Sequence, residues 1–400
     1  MRIEGAIELR RRELTAAAVP ELRALFGLER LALAPAHAEF TLGDAPLGYV
    51  NGLRRAVIDE VPRFALRVPE GVPGVGFDAA ASTAAAMVPQ FVAARISALP
   101  INAQMTPARA PELAALRMRL DARNDGPAPR NVFAGELVVE AGVLPPALLN
   151  PTTELATLGP GERIVVRGIR IEAGRGGAHA SWQAAHRAIA VPLDLAELPR
   201  AATHAPDGAA IDLSGFVEST FVSAPRRHRL AAVVAAAPDA GAAADVWVEA
   251  AAEVAARCRA AGAAASGEAL LVTQRAGEDP PLESATLRLA GEGDTLGGVL
   301  AAAVREEGAR GAPGSLAPAE LAFLDWTARP HDQALIFRLF GPPGRTAAAL
   351  VAAAAAAAAE FDSLSRALAA APREHSPGPL PRGLEDFRRR ERAARGDPEP

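Results

Sequence analysis

Two glycines inside one amphipathic stretch constrain this chain most. Residues 44–62 read DAPLGYVNGLRRAVIDEVP. Asp44 is a good helix N-cap, Pro46 is tolerated in a first turn, and Pro62 stops the run. Val50, Leu53, Val57 and Val61 recur at helical spacing and define one apolar face. Gly48 and Gly52 lie four residues apart on a neighbouring face. A glycine inside a helix costs about 1 kcal/mol against alanine, so this pair points to a second backbone coming close. Arg54 and Arg55 carry charge out of the helix, and Glu60 ends it. Taken alone, the stretch also fits an ordinary core helix with a solvated arginine pair.

The rest of the chain narrows the chemistry. Its 400 residues suit two or three domains, and half of them are hydrophobic, enough for a sizeable core. All 42 basic residues are arginine. A Schiff-base lysine and a P-loop lysine are therefore excluded. The net charge of −5 and the mixed distribution of charges argue against a main role in gripping phosphates. Cys258 stands alone, so neither an intramolecular disulfide nor a cysteine-cluster zinc site can form. The start, MRIEGAIELRRRE, lacks the apolar core of a signal peptide. The most apolar stretch, residues 347–359, is shorter than the roughly 20 residues that span a bilayer. The expectation is a soluble intracellular protein with no membrane partner.

Along the chain, alternation predicts strands at 3–9, 38–43, 64–68, 116–120, 132–139, 164–171, 285–290 and 335–339. Helical patterns cover 20–28, an interrupted 79–99, 246–261 and 346–371. Cys258 reads as a buried small hydrophobe within one of these helices. Residues 192–212 are Pro-rich, and 372–400 are rich in Pro, Arg and acids and are expected to lack structure. After residue 265 the chain begins a shorter version of itself. A strand leads to a helix capped by Asp294 or Thr295, in which Leu300, Ala303 and Val304 match Leu53, Ala56 and Val57 at one constant offset.

Several motifs carry a resemblance. Asn51-Gly52-Leu53-Arg54-Arg55 followed by Glu60-Val61-Pro62 resembles the signature helix of the RNA polymerase alpha-like family: the bacterial alpha amino-terminal domain, the archaeal D subunit and the third-largest eukaryotic subunit. Residues 90–101 resemble a second family motif through Phe91, Ala93, Arg95 and Pro100, while Gln90 and Ala94 depart from it. Residues 174–182 resemble the family's glycine-rich loop through Gly174, Gly176, His179, Ala180 and Trp182, with Gly177 and Ser181 replacing the usual lysines. Phe216 to Ser219 resembles a strand that re-enters the platform domain. Residues 292–300 look like the signature of the small alpha-like partner, the archaeal L or eukaryotic eleventh-subunit type. Thr295, Leu296, Gly297 and Leu300 fit it, and Asp294 and Gly298 replace its His and Asn. Phe323, Trp326 and Pro330-His331 extend that likeness.

The order, large partner then small partner, is similar to the fused form found in large nucleocytoplasmic DNA viruses. The resemblance implies an α+β fold of two alpha-like dimerisation halves that make an intramolecular pseudo-dimer, with a β-rich insert. The implied divisions are an N-terminal extension (1–37), a discontinuous first half (38–70 and 206–265), the insert (71–205), a second half (266–371) and a tail (372–400). The implied role is a non-catalytic platform in transcription, with no cofactor, metal or catalytic residue of its own. Its partners would be the largest and second-largest polymerase subunits and small polymerase subunits, with DNA met only through the complex. The implied location is the nucleus, a viral replication site or the virion.

Subunit contacts are expected from Asn51, Leu53, Arg54, Arg55, Glu60, Pro62, Arg95, Pro100, Gly174, Gly176, His179 and Trp182. The seam between halves is expected at Gly48, Gly52, Val57, Thr295, Leu296, Gly297, Gly298, Leu300 and Trp326. Arginine suits such interfaces because its planar fork pairs bidentately with carboxylates. Two other classes compete. One is a nucleotide- or phosphate-handling enzyme built on Gly174 to Gly177 or on Gly341 to Thr346, although no helix follows the first loop and the second lacks the P-loop lysine. The other is a stand-alone scaffold.

Overall fold

The computed structural model describes residues 1–13, 15, 17, 20–69, 76–78, 81–83, 89–145, 147–193, 226–267, 270–274, 282–329 and 334–376. The chain opens with β1 (Arg2–Arg11), α1 (Glu21–Phe26), β2 (Ala34–Gly43) and α2 (Leu47–Asp59). It continues through β3 (Arg63–Arg67), β4 (Gly76–Phe77), α3 (Pro89–Ser97), β5 (Arg117–Arg123), β6 (Arg130–Phe133), β7 (Val138–Ala141), β8 (Glu154–Leu158) and β9 (Arg163–Gly174). Then come β10 (Arg187–Pro192), β11 (His228–Ala237), α4 (Gly241–Gly267), β12 (Leu270–Gln274), β13 (Leu282–Ala290) and α5 (Asp294–Arg310). The last elements are β14 (Phe323–Arg329), β15 (Ala334–Gly341), α6 (Thr346–Ala370) and β16 (Arg373–His375).

Two sheets share one plan. The first runs β10-β11-β2-β1-β16, and the second runs β12-β13-β15-β14. In each, a strand (β2 or β13) leads into a glycine-bearing helix (α2 or α5). Two further strands of the same sheet come before a long helix (α4 or α6), and the later of them (β11 or β15) pairs centrally and feeds it. Strand alternation explains the buried face: Ala36, Ala38, Phe40 and Leu42 of β2 are buried in the main core together with Ile7 and Leu9 of β1. The helices cover this face. α4 and α6 run antiparallel, with Ser365 Oγ donating to the Val248 carbonyl at 3.0 Å and Gly262 packed on Ala354 further along.

One continuous core joins both sheets: Phe40, Leu53 and Trp247 belong to it, and so do Leu300, Phe337 and Phe361. Phe40 meets Trp247 edge-on at 5.3 Å, and Tyr49 of α2 meets Phe361 of α6 at 5.2 Å. A second core includes Leu66, Val92, Met118, Leu155 and Ile169, so β3, expected in the first half (38–70), packs with strands from 71–205. That core lies on the sheet β3-β9-β5-β7, with β4 also on β9 and β6 paired to β8.

Several expectations shift in detail. Asp44 does not cap α2; it takes φ +53° and pairs with Arg2 at 3.1 Å, while Pro46 holds the cap position. Residues 132–139 are not one strand, because Glu136 accepts the Phe133 amide at 3.0 Å and a 3-10 turn separates β6 from β7. Within 79–99 only Pro89–Ser97 is helical among the described residues. Residues 1–37 supply β1, and β10 lies in the first sheet although residues 71–205 were expected in the insert. Residues 373–375, expected to lack structure, pair in parallel with Ile7 to Leu9 of β1. The apolar stretch at 347–359 is part of a 25-residue helix, long and apolar enough to cross a membrane. Its Leu350, Phe361, Leu364 and Leu368 are buried in the core against protein. Phe216 to Ser219 and Pro330-His331 lie outside the described residues.

The Gly341 to Thr346 loop is already occupied by the chain itself. The Gly344 amide and the Thr346 hydroxyl both donate to the Glu283 carboxylate, the former at 2.9 Å. Burial works against the charge on Glu283, but these donors and the Thr346 amide outweigh it and lower its pKa. An anion therefore sits at the start of α6 without any ligand. A lowered folded-state pKa contributes stability above the ordinary value of 4.5, and that stability is lost as pH falls through the folded value. Glu283→Gln is expected to cost about 2 kcal/mol at pH 7, with the gap to wild type closing in acid below the carboxylate range, as read by urea melts. Cys258 is buried, and burial together with Glu292 pushes its thiol up to about 12. It is expected to resist a thiol reagent in the native protein and to react fully in denaturant.

Candidate functional site

The glycines of α2 face α5. A Cβ on Gly48 would stand 2.7 Å from the Gly298 carbonyl oxygen and 2.7 Å from Ala302 Cβ, and one on Gly52 would overlap Val299. The two helices thus pack at backbone distance, as the glycine spacing required. Thr295, Leu296 and Leu300 are buried in this region, and Val57 and Leu53 are buried on the core side of α2. Gly297 serves another purpose. Its missing Cβ leaves room for the Trp326 ring of β14, so this contact lies within the second sheet and its helix. Gly298 contributes its carbonyl, and a Cβ there would meet nothing within 4 Å.

Above this seam lies a groove of about 740 Å³, with Gly48, Gly52, Gly298 and Ala302 along it and Asn51 and Trp326 at its sides. Its charged rim carries Arg54, Arg55, Arg226 and Arg305 against Asp294 and Glu306. Arg226 grips Glu306 through both terminal nitrogens at 3.0 and 3.2 Å, and Arg55 stands 3.7 Å from Asp294. Arg54 and Arg305 have no ion pair among the described residues. The groove thus offers unspent arginine over a floor of small residues.

Glu60 is turned inward rather than toward a surface. Its carboxylate meets Arg257 of α4 at 2.7 Å, and the same guanidinium holds Glu253 at 3.1 Å and Glu292 at 2.9 Å. Glu292 precedes α5, so Arg257 ties α2, α4 and the second sheet's helix together. Arg175 adds a second cation at 2.7 Å from Glu253. Burial raises the pKa of Glu292, with Arg257 opposing and Glu60 adding to the rise.

Pro100 and the 174–182 loop meet at a separate cleft of about 360 Å³, at the other end of α2. The loop is packed tightly. Gly174 lies against the face of Trp182 and Gly176 against the Ile58 carbonyl; the Gly177 amide donates to the Asp59 carbonyl at 2.9 Å. The amides of Ala178 and His179 are both spent on the Arg175 carbonyl, at 3.0 and 3.3 Å. The amides of Gly177, Ala178 and His179 are therefore not available to a phosphate. Trp182 is fixed by its indole N–H to the Glu172 carbonyl at 2.9 Å, with Arg67 lying 5.1 Å over its ring. Arg95 points elsewhere, donating to the Leu155 carbonyl at 3.2 Å beside Glu154. Pro62 accepts from Arg63 at 3.0 Å.

The residues expected at one docking surface therefore divide between groove, cleft and interior. Sequence reasoning missed Val299, Ala302, Arg226, Arg305, Arg67 and Arg257. For Val299 and Ala302 the signal was present, since they continue the helical spacing from Thr295. For Arg257, buried in an Ala-rich helix, there was none.

Comparison with known proteins gives relatives of one kind. A protein of African swine fever virus (isolate Pig/Kenya/KEN-50/1950) named DNA-directed RNA polymerase RPB3-11 homolog is 31% identical over 216 residues, 54% of this chain and 55% of the relative. The proteins of the same name from isolate Tick/Malawi/Lil 20-1/1983 and from strain Badajoz 1971 Vero-adapted are 31% and 30% identical over the same length. The match spans about half the length of these relatives. No family model matches the chain. The similarity bears out the resemblance read from the motifs, to a fused alpha-like polymerase subunit of a large DNA virus.

Proposed function

We propose that the chain is the fused alpha-like subunit of a multisubunit DNA-directed RNA polymerase, and that it acts there as a non-catalytic assembly platform. The observation that carries this reading is the glycine-mediated seam between α2 and α5. It brings the two motif-bearing helices together and sets Arg54 and Arg55 on one groove with Asp294 and Thr295. The shared strand order of the two sheets supports a pseudo-dimer within one chain. Fusion makes the pairing of halves intramolecular, at an effective concentration on the order of millimolar.

In this reading the first half docks the second-largest catalytic subunit through Arg54, Arg55 and the cleft at Pro100 and the 174–182 loop. The second half faces the largest subunit through residues 294–300 and the region of Trp326. Small polymerase subunits join them, and DNA is met only through the complex, at the viral replication site. The names of the relatives support polymerase membership.

Co-expression of the tagged chain with the two large subunits tests it. Both are expected to co-purify with the wild type. Arg54→Ala with Arg55→Ala is expected to reduce capture of the second-largest subunit more than tenfold, since buried interface arginines often contribute about 2 kcal/mol or more. Its thermal melt should stay close to wild type, because Arg54 has no ion pair to lose and the Arg55–Asp294 pair is exposed. Recovery of the tagged chain alone from the wild-type preparation would overturn the reading.

A further inference from the structure

We propose that the cleft between α3 and the 179–186 loop is a receptor for a carboxylate side chain of a docked polypeptide, held by Arg67 and His179. The polypeptide's identity as a polymerase subunit rests on the function proposed above; the carboxylate chemistry does not.

The first support is the lining. Arg63, Arg67, His179 and His186 line this cleft, and no Asp or Glu does so among the described residues. In a chain of net charge −5 that is a marked local imbalance. The neighbouring acids only partly offset it. Glu249 pairs with Arg63 at 2.6 Å, and Glu172 approaches Arg67 no closer than 4.0 Å. Arg63 is buried, and its Nε and Nη2 have no hydrogen-bond acceptor among the described residues.

The second support is preorganisation. Trp182 is pinned between Gly174 and the Glu172 carbonyl, and it offers a fixed face to the Arg67 guanidinium. The planar fork, which lines the cleft, is thereby held in place, so little entropy is lost when it binds. His179 Nδ1 accepts from the Ser181 amide at 3.1 Å and faces an Arg67 N–H at 3.5 Å. These partners assign the ring proton to Nε2, which makes the ring a further donor.

The third support separates a side chain from a free anion. Phe64, Leu99, Pro100, Ile101 and Met105 also line the cleft, giving it apolar walls that suit a methylene stem beneath a carboxylate. Inorganic phosphate has no use for them. Phe91, on the same helix as the cleft-lining Gln90 and Ala94, is 65% exposed and offers an apolar anchor for the rest of a polypeptide.

The test uses the ¹⁵N-labelled full chain and its three tryptophan indole signals, with Trp182 identified from Trp182→Phe. Glutarate is the probe for a carboxylate on a short stem, and inorganic phosphate at equal ionic strength is the control. The expected result is a saturable movement of the Trp182 signal with glutarate, weakened about tenfold or more in Arg67→Gln, whose melt should match wild type. No movement with glutarate, an equal response in Arg67→Gln, or movement with phosphate alone would each overturn the proposal. In co-expression, Arg67→Glu should lose capture of the second-largest subunit, and capture equal to wild type would refute the docking role. Were the polymerase reading wrong, the wild type would capture nothing while glutarate still moved Trp182.

Discussion

Gly48→Ala is expected to destabilise the protein, although alanine is the better helix former. Propensity alone would stabilise α2 by about 1 kcal/mol. Against it stands a methyl placed 2.7 Å from the Gly298 carbonyl oxygen and 2.7 Å from Ala302 Cβ. The first neighbour is backbone in the second turn of α5 and cannot rotate away. Overpacking of this kind costs about 1–3 kcal/mol, so the net sign is a loss. Gly48→Leu should exceed that range, because no rotamer avoids the facing helix. Gly298→Ala supplies the contrast. A Cβ there meets nothing within 4 Å, so this variant is expected to gain about 1 kcal/mol from propensity. Two glycines on facing helices would then respond with opposite signs in urea melts. A stabilised Gly48→Ala would mean that the helices do not touch there.

Arg257→Met is expected to cost about 3–5 kcal/mol at pH 7, as breaking a buried ion cluster does. The loss comes less from the missing attraction than from what stays behind. Glu60, Glu253 and Glu292 converge on this one guanidinium, and without it the cation left in contact among the described residues is Arg175, on Glu253. The pH dependence has a definite sign. Burial already raises the folded-state pKa of Glu292. A raised pKa favours the fold below the ordinary carboxylate value and disfavours it as pH rises through the folded value. Removing Arg257 takes away the interaction that opposed this rise. The variant's deficit should therefore shrink as pH is lowered from 7 toward 5. A deficit that does not change with pH would show that the carboxylates are not the source of the loss.

How much of this was legible beforehand depended on whether a residue violates a local rule. Gly48 and Gly52 do, since glycine is costly in a helix; what they admit is the Gly298 backbone against Gly48 and the Val299 side chain against Gly52. Gly297 breaks the same rule for a different reason, to admit Trp326; spacing alone does not tell which neighbour a bare face meets. Arg257 and Glu60 break no rule that can be read along the chain, because their meeting joins two distant helices. Arg54 and Arg95 looked alike as exposed arginines, yet one lines the groove and the other turns to the β8 backbone. β16 was hidden for a plainer reason. Arg-Glu-His has little strand propensity, and its pairing rests on β1 at the opposite end of the described chain.

That last pairing bears on how the molecule is made. During synthesis the outer edge of β1 waits for a partner that emerges only after every other described element. An uncovered strand edge invites pairing with another chain, and a contact this distant in sequence is among the last to close. The waiting edge carries Glu8, Arg10 and Arg11, charges that discourage a wrong partner in the interval. A nascent chain cut short before residue 373 would keep both cores and both long helices, yet leave that edge uncovered.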